Sequence, residues 1–218
     1  MNKSAFLLVM AILLPTPIPL PGQGNPIAGA RNVRISFVPP PQEGTISLGI
    51  YDGKGRLVRV LQREAAIDHF HIGPDALMTA WDGKDDEGRD LPPGRYAARG
   101  FAVGEMKIQE TSRPAGTEAL PTGGKVSVKL VPNPLQPGER KTVELRANFD
   151  DETSFVETSD GLPLFTVDEC PFLWATTISA RPDRTFLLQQ TDGDTVDEFQ
   201  ISGVQEMMAF DAGEFELK

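Results

Sequence analysis

The chain has 218 residues, of which 31 are acidic and 21 are basic, so its formal net charge is −10. The acidity belongs to the second half: residues 31–112 carry 11 basic and 12 acidic side chains, whereas residues 113–218 carry 9 and 19. An acidic surface repels phosphate backbones and anionic headgroups, which excludes nucleic acid and acidic membranes as expected partners.

The first thirty residues have the composition of a secretory signal peptide. A basic head at Lys3 precedes an apolar run from Ala5 to Leu14, and a proline-rich exit follows. This run is shorter than the ~20 apolar residues that a spanning helix needs, so no membrane insertion is expected after its removal. "AGA" (28–30) offers a cleavage site, with processing near Gly24 as an alternative. The predicted location is therefore secreted, either periplasmic or extracellular.

Short alternating apolar segments separated by Gly, Pro, Asn and Asp follow this leader, and they indicate an all-β chain. "DGKG" (52–55) offers two glycines that can take positive φ, so it predicts a β-hairpin between its flanking strands. The strands predicted in this half are "NVRISFV" (32–38), "TISLGIY" (45–51), "RLVRVLQ" (56–62), "HFHI" (69–72), "LMTAW" (77–81) and "GRYAARGFAV" (94–103).

Residues 113–124 have the small, polar, Pro- and Gly-rich composition of a linker, which predicts two domains, 31–112 and 125–218. The second domain again shows short strands separated by turns, as in "KVSVKLV" and "RTFLLQQ". Two architectures fit it: a β-sandwich, or a partial propeller-like unit, since residues 178–203 resemble one propeller blade. The tail, 204–218, is too short and mixed in pattern to assign.

"WDGKDDEGRDLPPGRY" (81–96) follows the predicted hairpin at a distance that gives the first half a recognisable order. In this order the chain resembles the FlgD-type immunoglobulin-like domain family, named for the bacterial flagellar hook-capping protein, and it also looks like related C-terminal sorting modules. The resemblance covers about residues 32–110. The residues that carry it are Tyr51, Asp52, Gly55, Arg56, Trp81, Asp82, Gly83, Asp85, Gly88, Pro93, Gly94 and Tyr96.

This resemblance implies a small immunoglobulin-like β-sandwich that generally has no catalytic residues of its own. Hook capping is not implied, because the family's capping member has a long N-terminal region where this chain has a leader. A sorting role is not implied either, since sorting modules stand at the C-terminal end of their chains. The resemblance therefore implies a scaffold.

The acids of the loop after Trp81 fit two roles. As turn formers, Asp82 accepts bonds from following amides while Gly83 and Gly88 take positive φ, and the ring of Trp81 is buried beneath the turn. As calcium ligands they would supply several hard oxygens, although their spacing differs from that of an EF-hand. The calcium candidates are Asp82, Asp85 and Asp86, with Glu87 and Asp90 beside them.

The remaining reactive or aromatic residues are expected to be structural. On a strand, His69 and His71 would face one side, but a third metal ligand is not evident near them. Cys170, the only cysteine, is expected to be a small buried hydrophobe. Phe172 and Trp174 could stack on a sugar or a partner if exposed, and core placement is the expectation for both.

These patterns predict an exported, non-catalytic, immunoglobulin-like protein without a cofactor. The sequence contains no nucleophile elbow, P-loop or H-E-x-x-H motif. The expected role is a scaffold or adhesion module at the bacterial cell envelope or outside it, with a protein or glycan partner. The alternative is an accessory carbohydrate-binding or calcium-stabilised module of a secreted hydrolytic system.

Overall fold

The structure is a computed structural model, and it describes residues 31–111, 120, 124–137 and 141–218. Strands make up 56% of it and helix 3%, which confirms the all-β class. No helix in these ranges is long and apolar enough to cross a membrane. The predicted signal peptide and most of the predicted linker lie outside the described residues.

The strands predicted in the first half, apart from 69–72, are present, and the hairpin at 52–55 is confirmed by antiparallel pairing of its flanking strands. The "HFHI" prediction is wrong in part: Ile67–His69 forms a 3-10 turn, and only two residues after it are extended. The strands are β1 (Val33–Phe37), β2 (Thr45–Asp52), β3 (Leu57–Ala65), β4 (His71–Ile72), β5 (Leu77–Trp81), β6 (Gly94–Val103) and β7 (Lys107–Glu110).

The second half continues as antiparallel strands, with one more 3-10 turn at Val204–Glu206. The tail, 204–218, for which no element was predicted, contains a strand of ten residues. The strands are β8 (Lys125–Lys129), β9 (Thr142–Phe149), β10 (Ser154–Thr158), β11 (Pro163–Asp168), β12 (Ala175–Ala180), β13 (Phe186–Thr191), β14 (Val196–Ser202) and β15 (Met208–Leu217).

Two sheets enclose the core of the first half, in the orders β1-β5-β4 and β15-β6-β2-β3. Alternation along β1 directs one of its faces inward, as period-two patterning requires, whereas β2 is buried on both faces. Aromatic rings bridge the sheets: Phe37 of β1 stacks on Phe210 of β15 at 4.9 Å and meets the edge of Phe70 at 5.7 Å. The apolar layer between the sheets includes Ile35, Leu48, Ile50, Leu77, Trp81, Ala98 and Leu217.

Two further four-stranded sheets, β11-β10-β9-β8 and β12-β13-β14-β7, share the second core. The segment that resembles a propeller blade supplies β13, β14 and part of β12, and these strands pack against the neighbouring sheet. This arrangement is sandwich-like. Its fully buried side chains include Leu145, Val156, Leu164, Leu188 and Ile201.

Each half lends a strand to the other. β15, at the end of the chain, pairs with β6 over nine positions from Met208–Ala102 to Leu217–Gly94. In the opposite direction, β7 pairs with β14 from Ser202–Lys107 to Phe199–Glu110. The division at residues 113–124 stays a prediction, but the sheets themselves are not divided there.

A polar clamp adds to this exchange of strands. Arg63 of β3 donates to the carboxylate of Asp150 at 2.9 Å and lies over the ring of Phe155 at 4.4 Å. The carboxylate of Glu64 accepts bonds from the amide and the hydroxyl of Thr166 in β11, at 2.8 and 2.7 Å. Burial raises the pKa of Asp150, but its hydrogen bonds, above all the one from Arg63, lower it by more. The net pKa is about 2.

Candidate binding site

The tryptophan that opens the acidic loop is a core residue. Trp81 is 1% exposed, and its ring lies 5.2 Å from the ring of Tyr96 and 5.6 Å from that of Phe215. Its indole N–H donates to the carbonyl of Lys84 at 2.8 Å, which satisfies the one polar atom that burial would otherwise isolate. The ring and the turn therefore stabilise one another.

The motif residues meet at one end of the first sandwich. Tyr96 lies opposite Asp52 in the β2–β6 register, and its hydroxyl donates to the carbonyl of Pro92 at 2.8 Å. Gly94 begins β6 directly after the exposed Pro93. Both sequence landmarks, the hairpin and the acidic loop, thus contribute to a single structural unit.

The two landmarks also share a turn that the sequence analysis missed. The pattern D-x-x-G-R occurs at 52–56 and again at 85–89. In both turns the aspartate accepts bonds from the amide and the Nε of the arginine at 2.8 to 3.0 Å. In both, the glycine has φ +77°, a conformation that favours glycine. Searching for the repeated pattern would have revealed these carboxylates as structural.

The acidic loop covers an edge strand. Both oxygens of Asp86 accept from the amide of Val60 in β3, at 3.0 and 3.2 Å, and Arg59 donates to the carbonyl of Asp85 at 2.6 Å. β3 is the outer strand of its sheet, where an unpaired amide would be available to another chain. The loop therefore satisfies part of the edge that β3 presents.

The calcium candidates do not converge on a common point. Asp82 accepts from the amide of Lys84 at 3.1 Å, while Asp85 and Asp86 make the bonds given above. Within the described ranges, no group of three or more acidic, histidine or cysteine side chains is arranged to hold a metal ion. Burial raises the pKa of Asp85, but hydrogen bonds from Arg89 lower it below its usual range.

We expect Asp85→Asn to lower the melting temperature by the same few degrees in calcium and in chelator. The substitution removes the charge from a hydrogen bond that closes the turn, and no bound ion is lost with it. Asp90→Asn, which alters an exposed acid of the same loop, is the matched control. A wild-type melting temperature that rises with millimolar calcium, together with loss of that rise in Asp85→Asn, would contradict this expectation.

The histidines lie beside a separate cavity. His69 and His71 line a volume of about 450 Å³ together with Arg34 and Met78. The 3-10 turn places His69 off the strand that was predicted to hold both, so the i, i+2 argument for a shared strand face does not apply.

Cys170 is partly exposed, not buried as expected. Partial burial raises the pKa of the Cys170 thiol, and the negative charges of Asp168, Asp197 and Asp192 raise it further. Since the thiolate is the nucleophilic form, this environment disfavours nucleophilic chemistry.

The expectation of core placement for Phe172 and Trp174 is wrong. Phe172 is 81% exposed and Trp174 is 75% exposed, both on the segment 169–174 between β11 and β12, which we call the aromatic loop. The side chain that the core takes from this loop is Leu173, which is 6% exposed. Two large rings are thus presented to solvent on a loop that is anchored between them.

The aromatic loop is held in place by local packing. The amide of Trp174 donates to the carbonyl of Thr191 at 2.8 Å. Its ring covers Gly193 so closely that a Cβ there would lie 3.0 Å from the ring carbons. Phe172 has φ +68°, a conformation that costs a non-glycine residue about 1 kcal/mol or more. The backbone and the ring of Trp174 are therefore held by local contacts.

Two carboxylates lie beside the ring of Phe172. A cavity of about 370 Å³ lies beside the loop, lined by Phe172, Leu173, Phe149, Asp150 and Asp151. Apolar ring faces with neighbouring hydrogen-bond acceptors suit a ligand that has both apolar faces and donors.

Comparisons of the chain with protein-family models, with curated proteins and with solved structures found no match.

Proposed function

We propose that this chain is an exported, non-catalytic, immunoglobulin-like binding module that acts at the bacterial cell envelope or outside it. The observation that carries the proposal is the exposure of Phe172 and Trp174 on an anchored loop. Large exposed aromatics mark interaction surfaces, since soluble proteins otherwise bury most of such rings.

Two features of the first half support its immunoglobulin-like part. Tyr96 lies near the start of β6, and its hydroxyl donates to the carbonyl of Pro92, four residues upstream. This bond has the form of the tyrosine corner of such sandwiches. Trp81 is buried between facing sheets, as a core tryptophan is in that fold. The FlgD-type resemblance of residues 32–110 agrees with both, and the composition of residues 1–30 supports export.

A neutral glycan is the second candidate ligand, beside a protein partner. The observation that favours it is that the exposed ring of Phe172 lines the same cavity as the carboxylate of Asp151. A sugar ring has an apolar face that can stack on an aromatic ring and hydroxyls that can donate to a carboxylate. In this form the protein would be an accessory carbohydrate-binding module.

We expect Phe172→Ala/Trp174→Ala to weaken ligand binding by about thirtyfold or more while leaving the fold intact. Loss of an aromatic hot spot typically costs about 2 kcal/mol or more, roughly a thirtyfold loss of affinity. Substitution at exposed positions changes stability by only about 0.5 kcal/mol. The measurements are recovery of partners from an envelope extract by immobilised protein, and affinity electrophoresis in neutral polysaccharides.

Ile72→Ala is the matched control, because it removes another exposed apolar side chain, 65% exposed, far from the aromatic loop in sequence. A protein that is retained by wild type and by the control, but not by the double variant, supports the protein-binding role. Retardation in a polysaccharide with the same dependence supports the glycan role. If the double variant binds as wild type does in both assays, the aromatic loop is not the contact surface.

A further inference from the structure

A cleft lies at the other end of the β12–β13 hairpin from the aromatic loop. It has a volume of about 420 Å³ and opens between β8 and the turn that joins β12 to β13. β12 has six residues, so roughly 20 Å of extended strand separates the cleft from the aromatic loop. The polar residues that line it are Ser127, Lys129, Arg181, Arg184, Thr185 and Gln205.

The charge of the cleft is opposite to that of its surroundings. Residues 113–218 carry only 9 basic side chains against 19 acidic ones, yet three of the nine, Lys129, Arg181 and Arg184, line this one cleft. Among the residues that the structure describes, no carboxylate forms a salt bridge with any of the three. The cleft therefore concentrates three cations that form no salt bridge among the described residues, although Arg181 lies close enough to Asp183 to interact with its charge.

The arginines stand on a turn that is fixed by its own hydrogen bonds. The amide of Arg181 donates to the carbonyl of Thr185 at 2.9 Å, and the amide of Arg184 donates to the carbonyl of Arg181 at 3.2 Å. The carboxylate of Asp183 accepts from the amide and the hydroxyl of Thr185, at 3.1 and 2.6 Å. Both guanidinium groups are thus carried by a preorganised backbone, which reduces the entropy lost on binding.

Arg184 occupies a conformation that its residue type disfavours. Its φ is +65°, in the left-handed region where glycine is the ordinary residue. A turn selected for stability alone would favour glycine here. The side chain at this position instead adds a third cation to the cleft.

We propose that this cleft binds a dianionic oxyanion group, such as a phosphate monoester. The described lining holds three cations and no carboxylate. With Asp183 of the same turn counted, the charge is about +2, which complements the charge of −1.5 to −2 of a phosphate monoester at pH 7. Guanidinium groups match the oxygens of such a group two at a time, while Lys129 contributes a point charge. Ser127 places a hydroxyl beside the same space, whereas the hydroxyl of Thr185 is held by Asp183.

Inorganic phosphate is the first probe, titrated at constant ionic strength and followed by amide chemical shifts of the full chain. We expect shifts confined to residues 127–129, 180–186 and 205, and weaker effects from chloride and acetate. Arg181→Ala and Arg184→Gly should each weaken binding about tenfold, which is ~1.4 kcal/mol. Arg184→Gly should not lower the melting temperature, because glycine adopts this φ freely.

Arg95→Ala is the control, since it removes one positive charge at an exposed position outside the cleft. An equal loss of affinity in Arg95→Ala, phosphate shifts outside the cleft, or acetate that binds as tightly as phosphate would each overturn the proposal. Two sources of the ligand are then separated. Displacement of phosphate by glucose 6-phosphate assigns a soluble monoester, and sedimentation with phosphatidic acid vesicles that is lost in Arg184→Gly assigns a lipid headgroup. Failure of both contradicts the monoester assignment.

Discussion

Deletion of residues 208–218 is expected to unfold the first sandwich, although these residues lie about a hundred positions beyond its other strands. The deletion removes β15, which pairs along the whole of β6. It also removes the buried side chains of Met208, Phe210 and Leu217. Burial of each contributes about 1.5 to 3 kcal/mol, and together they approach the 5 to 15 kcal/mol of a typical domain.

The measurements are circular dichroism, thermal melting and near-ultraviolet signals of the truncated chain. Full-length protein with Glu214→Gln, an exposed change on the same strand, is the control. Adding a peptide of residues 207–218 should restore a cooperative melt, because strand addition to the exposed edge of β6 would replace the missing pairing. A truncated chain that melts cooperatively near the wild-type temperature would show that β15 is dispensable. The same reasoning predicts that residues 31–112 alone do not form a stable domain.

Trp81→Ala is the point substitution for which we expect the largest loss of stability. Replacing a buried tryptophan by alanine typically costs 3 to 5 kcal/mol, because transfer energy is lost and a cavity remains. Here it also removes ring contacts with Tyr96 and Phe215 and the donor to the carbonyl of Lys84. For a chain of this size, the expected fall in melting temperature is about 6 to 20 °C.

Trp81→Phe separates the two causes, since it keeps an aromatic ring in the core but removes the indole N–H. Its cost beyond the change in volume should be about 1 kcal/mol, the net value of one neutral hydrogen bond. Chemical denaturation of both variants provides the free energies. If Trp81→Ala costs less than 1 kcal/mol, the ring does not support the acidic loop as described.

Local strand signals could be predicted because they depend on neighbouring residues. β1, β2, β3, β5 and β6 show period-two patterns and turn residues that are visible in sequence. β15 shows no such pattern, and the structure gives the reason. Its register with β6 shifts between Asp211 and Gly213, so a bulge changes which side chains face inward. Phe210 and Leu217 are both buried although they are an odd number of residues apart.

The candidate binding site was hidden for a different reason. Large aromatic residues are usually buried, so core positions were expected for Phe172 and Trp174. Residue type alone does not show which residue of "PFLW" (171–174) points inward. The backbone conformation determines which side chain is buried. Phe172 adopts φ +68°, Leu173 enters the core, and Trp174 lies over Gly193. The cleft at Arg181 and Arg184 likewise depends on bringing β8 beside a distant turn, which a single sequence does not encode locally.

The placement of β15 also sets the order in which the chain can fold during synthesis. About 105 residues separate the end of β6 from the start of β15. At the ~5–20 residues per second of translation, the edge of β6 stays open for roughly 5 to 20 s after it has been made. During that time the N-terminal sandwich cannot close, and its unpaired strand is available to a chaperone or to a neighbouring nascent chain. Completion of the first sandwich therefore waits until β15 has been made.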